Sequence, residues 1–599
     1  MASNTEILNR SDVEIKDTWN LNTIFPNDEA YEKAYQAVAL KHVKAEHFKG
    51  TLGDSAQQLY TAIQFQEEVY KDLELVYMYA HLNFDVDTTN NKYQTYNAQV
   101  ENLYTQVMSS FSFFKTELMG YDEALILKYL DEKAELKIYK HDFDVLFRKR
   151  DYILSDKEER ILAEASEVLS APTRIFSMLN NADMIFPMVK DESGNEVQLT
   201  HGRYGLFLES QNREVRKSAF MGMYKNYLDY KNTFAELLST QVKSHNFNAR
   251  IRGYKSARHA ALATNSIDEK VYDALIEAVH DRFDLLHAYV DLRKKVLKQD
   301  SIAMYDLYTP LVEDVNLKIS FDEAKDLVLE GLSVLGEEYV SIVKRAFDER
   351  WIDVLENKGK RSGAYSSGSY ATNPFILLNW QDNLDNVFTL AHELGHSMHS
   401  FYTHQSQPYV YGDYSIFLAE VASTTNEILM TDFLLKKYTD PQVRAYIINH
   451  YLDGFKGTVF RQTQFAEFEH HIHTANQTGE ALTADYLTDY YFKLNQSYYG
   501  NAIAYDAEIG YEWARIPHFY YNYYVFQYAT GFSAASTLAN RILSDKANIE
   551  PYLNFLKAGC SAYPIDVLKK AGVDMTSNLA VKEALSVFEI RLNQLKQVV

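Results

Sequence analysis

Cysteine is almost missing from this chain: there is one, Cys560, in 599 residues. A single thiol excludes an intrachain disulfide framework and any structural zinc site built on several cysteines, and it fits a reducing compartment. Proline (10) and glycine (23) are also scarce, so helix breakers are few and long helices are expected. No uninterrupted apolar run approaches the roughly 20 residues of a membrane-crossing helix. Positive charge is outnumbered, with 60 Lys and Arg against 82 Asp and Glu, a net −22. That balance argues against nucleic acid and anionic membrane as partners. The stretch MASNTEILNRSDVEIKDTWN is polar and lacks the apolar segment of a secretory signal, so the expected location is cytoplasmic.

What is present is a large packed core. Hydrophobic residues make up 46% and aromatics 14%. Apolar residues recur at helical spacing over 56–84, 215–251 and 268–296, which predicts long helices there. Strand signals are few. Residues 184–200 read as two β-compatible runs around Ser193-Gly194-Asn195, a hairpin turn. Residues 361–380, RSGAYSSGSYATNPFILLNW, read as strand and turn. A soft boundary near residue 200 divides a helical N-terminal domain, 1–200, from a region, 201–599, that holds every chemical motif.

The chief motif is His392-Glu393-Leu394-Gly395-His396. Leu384, Val387, Phe388, Ala391, Leu394, Met398 and Phe401 recur at three- and four-residue steps, which predicts a helix over 384–401. On it His392 and His396 stand one turn apart on one face, the spacing for gripping a single zinc ion. Glu393 beside them is placed to act as base toward water in metal-assisted hydrolysis. Asp382, Asn383 and Asp385 are cap candidates. Ala391 and Gly395 are small and one turn apart, so another element can approach closely there. A catalytic metal needs a third protein ligand. His399 is a poor one, because it continues the same helix.

A second helix is predicted over 415–435, SIFLAEVASTTNEILMTDFLL, with Asp413 or Ser415 as cap. Its acids Glu420 and Glu427 are seven residues apart and share a face. Acids on an apolar helix are costly to bury unless paired or metal-bound. Glu420 as ligand and Glu427 as acceptor for a ligand histidine form a coherent pair; a solvent-facing acid or a core salt bridge is the alternative. A third segment, IPHFYYNYYVFQYATG over 516–531, puts His518, Tyr521, Val525 and Tyr528 on one stripe if Pro517 opens a helix. Imidazole and phenol groups suit an oxyanion. Tyr520 and Tyr523 compete with Tyr521 for that place. The run His470-His471-Ile472-His473 looks like a metal cluster, but adjacent histidines point about 100° apart on a helix. It reads as a polar helix face.

HELGHSMHSFY followed by FLAEVASTTNE resembles the thimet-oligopeptidase-like zinc metallopeptidases, and among them the oligoendopeptidase F group. The resemblance is tight over 363–431 and 515–531 and loose before about residue 200. It implies a mainly α, two-lobed helical zinc metallopeptidase with a deep substrate channel and a small β element near the active site. It implies one Zn2+ per chain on His392, His396 and Glu420, with Glu427 as the further acid. It implies that a histidine and two tyrosines seven apart, here His518, Tyr521 and Tyr528, serve the oxyanion. Larger relatives carry a glycine-rich loop between the histidine and the first tyrosine, where this chain has a two-residue gap without glycine. Family members also use a GAYS-like strand edge to hold the substrate backbone, which falls here on Gly363, Ala364, Tyr365 and Ser366. The expected activity is hydrolysis of internal bonds in oligopeptides. The rival readings are a zinc carboxypeptidase on a similar helical fold, with Arg461 or Arg515 holding the terminal carboxylate, and a non-catalytic peptide-binding relative.

Overall fold

The computed structural model of the chain describes residues 7–312, 315 and 317–599. The first six residues of the polar N-terminal stretch lie outside that range. Helix accounts for 72% of the chain and the sheets are small, as scarce proline and glycine require. The expected helix over 56–84 is α1 (Ala56–Val86), whose Ser55 side chain caps it by accepting from the Gln58 amide. The hairpin over 184–200 is β1 (Met188–Lys190) paired antiparallel with β2 (Glu196–Gln198), and Gly194 turns it at φ +81°. A second sheet holds β3 (Ile352–Asp353), β4 (Tyr365–Ser367) and β5 (Phe375–Leu377) in the order β3-β5-β4. There β5 runs parallel to β3 and antiparallel to β4. The helices that follow include α2 (Leu384–Ser406), α3 (Ile416–Lys437), α4 (Arg461–Gln477) and α5 (Phe526–Ser544).

Two expected helices are each broken in two. Residues 215–251 form Arg213–Asp229 and Lys231–Ile251, and 268–296 form Glu269–His280 and Phe283–Val296. The apolar stripe stays in phase across each break: Tyr227 and Phe234 are buried on either side of the first, Val279 and Leu286 on either side of the second. Period alone is blind to a short interruption that preserves phase.

Contacts gather the chain into two compact units. One draws on Met1–Asp151, Leu317–Met430 and Arg541–Ala571; the other on Tyr152–Asn316, Thr431–Asn540 and Gly572–Val599. In the first, α1 buries Leu59, Val69, Val76 and Leu82 in a core that takes in Phe375 and Leu377 of β5. The sheet is thereby fastened through β5, and β4 is left at its edge. In the second, a buried ion group replaces part of the apolar core: Glu512 accepts from Arg461, Arg515 and the Tyr491 hydroxyl. Among the described residues, no helix is long and apolar enough to cross a membrane.

Candidate metal centre and its neighbours

Helix α2 covers the predicted span and runs one turn beyond it. Asn383 is its cap, accepting from the Asn386 amide at 2.8 Å, and it ends before Pro408. At the N-terminus of α3, Ser415 accepts from the Phe417 amide at 3.3 Å. The two helices meet at the small residues. A Cβ on Gly395 would lie 2.5 Å from Ser423 Cα and 2.8 Å from the Ala422 carbonyl oxygen. One turn away, the fully buried Asn426 donates to the Ala391 carbonyl at 3.1 Å and accepts from the Tyr339 hydroxyl at 3.0 Å. Close approach at Gly395 and a satisfied polar clamp at Ala391 set the register of α3 on α2.

That register brings the predicted ligands together. His392 Nε2 and His396 Nε2 are 3.1 Å apart, and Glu420 Oε2 is 3.4 Å from the first and 3.5 Å from the second. A tetrahedral zinc with bonds of about 2.0–2.1 Å needs its donor atoms about 3.3 Å apart, so the spacing fits such an ion. Among the described residues, this is the one group of three or more His, Cys, Asp or Glu side chains with metal-ligand spacing. His392 Nδ1 lies 2.6 Å from Glu427 Oε1. A carboxylate only accepts, so the proton sits on Nδ1 and Nε2 is turned to the other two donors. Burial opposes a charged His392 ring, but the Glu427 bond and the surrounding carboxylates outweigh it and lift the pKa to about 9. Burial also pushes Glu420 up, yet His396, His392 and the Ser423 hydroxyl at 3.1 Å outweigh it and hold it down to about 2.

Glu393 is 7% exposed, and burial pushes its carboxyl above the ordinary range against the pull of His392 and His396. That shift suits a group that must both take and give a proton near neutral pH. His399 stands apart: it is buried, stacked on Tyr414 at 3.7 Å, and pushed by burial down to about 3.

Replacing Gly395 by alanine should force α3 off α2. Overpacking against backbone, which cannot rotate away, is expected to destabilise by about 1–3 kcal/mol despite alanine's better helix propensity. Thermal melts and metal titration would show both lower stability and weaker binding; an unchanged metal affinity would mean that the register of α3 is held elsewhere.

The β4 edge packs on this helix. Ser366 Oγ is 2.8 Å from Ser397 Oγ of α2, while the Tyr365 hydroxyl turns the other way to Asp85. Gly363 lies before β4 at φ +85°, and its carbonyl accepts from Asn379. Gly363 and Ala364 border a cavity of about 350 Å3, and Ser367 at the other end of β4 borders one of about 630 Å3 with Ser400 and His404 of α2.

The 516–531 segment is not one helix. Pro517–Tyr520 is a short 3-10 turn, Asn522 and Tyr523 are left-handed at φ +52° and +59°, and α5 starts at Phe526. The single stripe His518–Tyr521–Val525–Tyr528 is therefore replaced: Val525 is fully buried. Tyr520 packs inward on Phe176, and buried Tyr523 meets His470 Nδ1. Tyr521 stays beside His518 at 5.7 Å and is 53% exposed. Sequence reasoning missed Tyr524. Its ring lies parallel to His518 at 6.2 Å, and its hydroxyl is 3.3 Å from that of Tyr528. The i, i+4 step from Tyr524 to Tyr528 was the available signal. The 470–473 run is not a polar face. His470 meets Tyr523, His471 stacks on Tyr490 at 3.5 Å, and His473, 2% exposed, meets His245. Aromatic neighbours on three sides embed what periodicity would expose.

A mainly helical metallopeptidase is the class that this fold and centre define. The family model described as Peptidase family M3 matches residues 206–587, and one described as Oligopeptidase F matches 117–186. The chain belongs to peptidase family M3, and it is a metalloendopeptidase; the family implies a catalytic metal. It is 54% identical over 593 residues to the Oligopeptidase PepF of Bacillus subtilis (strain 168), covering 99% of this chain and 88% of that protein. It is 51% identical to the Group B oligopeptidase PepB of Streptococcus agalactiae serotype III, covering 99% of this chain and 98% of that one. The crystal structure of oligoendopeptidase-F from Enterococcus faecium superposes with a TM-score of 0.74 at 44% identity, over 95% of this chain and 99% of that one.

Proposed function

We propose a zinc endopeptidase that cuts internal bonds of short peptides, with one Zn2+ per chain held by His392, His396 and Glu420. The observation that carries this reading is the ligand-spaced trio with buried Glu393 on the same helix. Zinc, when bound, supplies Lewis-acid polarisation of water and carbonyl. Glu427 orients His392 through Nδ1. Glu393 takes a proton from the attacking water and hands it to the leaving amine. His518, Tyr528 and Tyr521 donate to the oxyanion, with Tyr524 added to their number because it sits between His518 and Tyr528. The edge strand and its approach, Gly363, Ala364, Tyr365 and Ser366, hold the substrate backbone by strand addition, which tolerates many side chains. Cavities at both ends of β4 leave room for an extended chain. Relatives named oligopeptidase and oligoendopeptidase support short peptides as substrates. The family matches, 117–186 and 206–587, support a division of the sequence near residue 200 with the catalytic region after it, although each compact unit combines segments from both sides of that point. The single cysteine supports a cytoplasmic setting.

The carboxypeptidase reading loses its cations. Arg461 and Arg515 both bind Glu512, at 2.6 and 3.0 Å, and neither is left to hold a substrate carboxylate. Metal analysis and product mapping on one defined peptide test the proposal. One zinc per chain and internal cuts are expected; loss of single terminal residues, or no cleavage, would overturn it.

A further inference from the structure

The turn joining Pro517–Tyr520 to α5 is strained. Among the described residues, only there do two consecutive non-glycine residues, Asn522 and Tyr523, have positive φ. A bulky side chain in that region persists only where its surroundings over-determine it. Here they do. The Tyr523 amide donates to Glu469 Oε1 of α4 at 2.6 Å, and its ring is wedged against Tyr272 at 5.5 Å and His473 at 4.8 Å.

Glu469 itself is an expensive residue to keep. It is fully buried, and among the described residues its second oxygen, Oε2, has no hydrogen-bond partner. Among the described residues no cation pairs with it, and burial pushes its carboxyl up to about 8, so near neutral pH it is largely a neutral acid. A buried carboxyl whose hydrogen bond goes to one amide of a strained turn has its purpose in that turn. On one side of the turn stand His518 and Tyr521; on the other, Tyr524 and Tyr528. The near-parallel His518 and Tyr524 rings, 3° apart, and the Tyr528–Tyr524 hydroxyl contact both depend on how the chain reverses at 522–523.

We propose that Glu469 is a positioning residue: through the Tyr523 amide it fixes the left-handed turn that sets His518 and Tyr521 against Tyr524 and Tyr528. This rests on reading that ring cluster as the oxyanion-binding part of the peptidase.

The test uses the full-length, zinc-loaded chain with Glu469→Gln and Glu469→Met. Glutamine keeps a neutral acceptor at the same place. Methionine keeps the volume without the acceptor, so the core stays filled. Three quantities are read: kcat and KM on a defined peptide, zinc content, and amide exchange over residues 519–528. In Glu469→Met, kcat should fall by about tenfold or more with KM changed far less, because a small misplacement of donors is felt in the transition state. Zinc should be retained and exchange over 519–528 should rise. Glu469→Gln should stay within about threefold of wild type on every measure. A methionine variant as active as wild type, unchanged exchange, or a glutamine variant as impaired as methionine would each overturn the inference. A wild-type chain that cleaves nothing would instead sink the peptidase reading, and the exchange comparison would still decide whether Glu469 holds the turn.

Discussion

Glu393→Gln is expected to keep its bound metal, zinc in the proposed enzyme, and lose hydrolysis. Glutamine has nearly the same volume, so the packing of α2 around this 7%-exposed position should survive. His392, His396 and Glu420 should therefore hold metal as before. What disappears is a carboxylate able to take a proton from water and give it to the leaving amine. General acid–base groups contribute about 10^2–10^4-fold in rate, and one that serves both steps belongs at the upper end. Burial pushes its carboxyl above the ordinary carboxylate range, the direction that favours such transfer. Steady-state kcat and metal content, measured on the same preparation, check the result. A variant that cleaves at near wild-type rate would refute the assignment of the base.

Glu420→Ala should lose both metal and activity. In the proposed centre two histidines from one helix supply two donors, and the third would come from α3 through Glu420 Oε2, 3.4 and 3.5 Å from the imidazole nitrogens. The carboxyl is held down to about 2, so it is ionised at every working pH. Glu427 is the nearest replacement, but it is spent on His392 Nδ1, the side of the ring away from the ligand nitrogen. Removing that bond with Glu427→Ala should weaken metal binding by about 10–100-fold without abolishing it. Glu420→Ala should fall below that range. Chelator competition on both variants orders them. Full zinc occupancy in Glu420→Ala would move the third ligand elsewhere, with Glu427 next to be tested.

The two candidate ligand helices were legible because their apolar residues keep a strict period and their starts carry the caps Asn383 and Ser415. Gly395 was legible too, as a place for close approach, since a missing Cβ has few other uses inside a helix. The tyrosine segment was legible in composition only. Its hydrophobic pattern matches a helix, but Asn522 and Tyr523 take conformations that residue type disfavours, held through Tyr523 by Glu469, 54 residues away along the chain. The histidines of α4 failed in the same manner: whether His473 faces water depends on what packs against α4, and its sequence neighbours do not say.

The sequence by itself determined the helical class, the pair His392 and His396 with Glu393 between them, and the two acids fit to complete a metal site. Those follow from spacing along one helix, which is a local property of the chain. Only the tertiary structure set Glu420 against the imidazole nitrogens and Glu427 against His392 Nδ1, the places that spacing and resemblance predict. It also separated Tyr521 and Tyr524, beside His518, from Tyr520 and Tyr523, which are buried. Those choices depend on the register of one helix on another and on a strained turn held from a distance, and both are set by packing between segments remote in sequence.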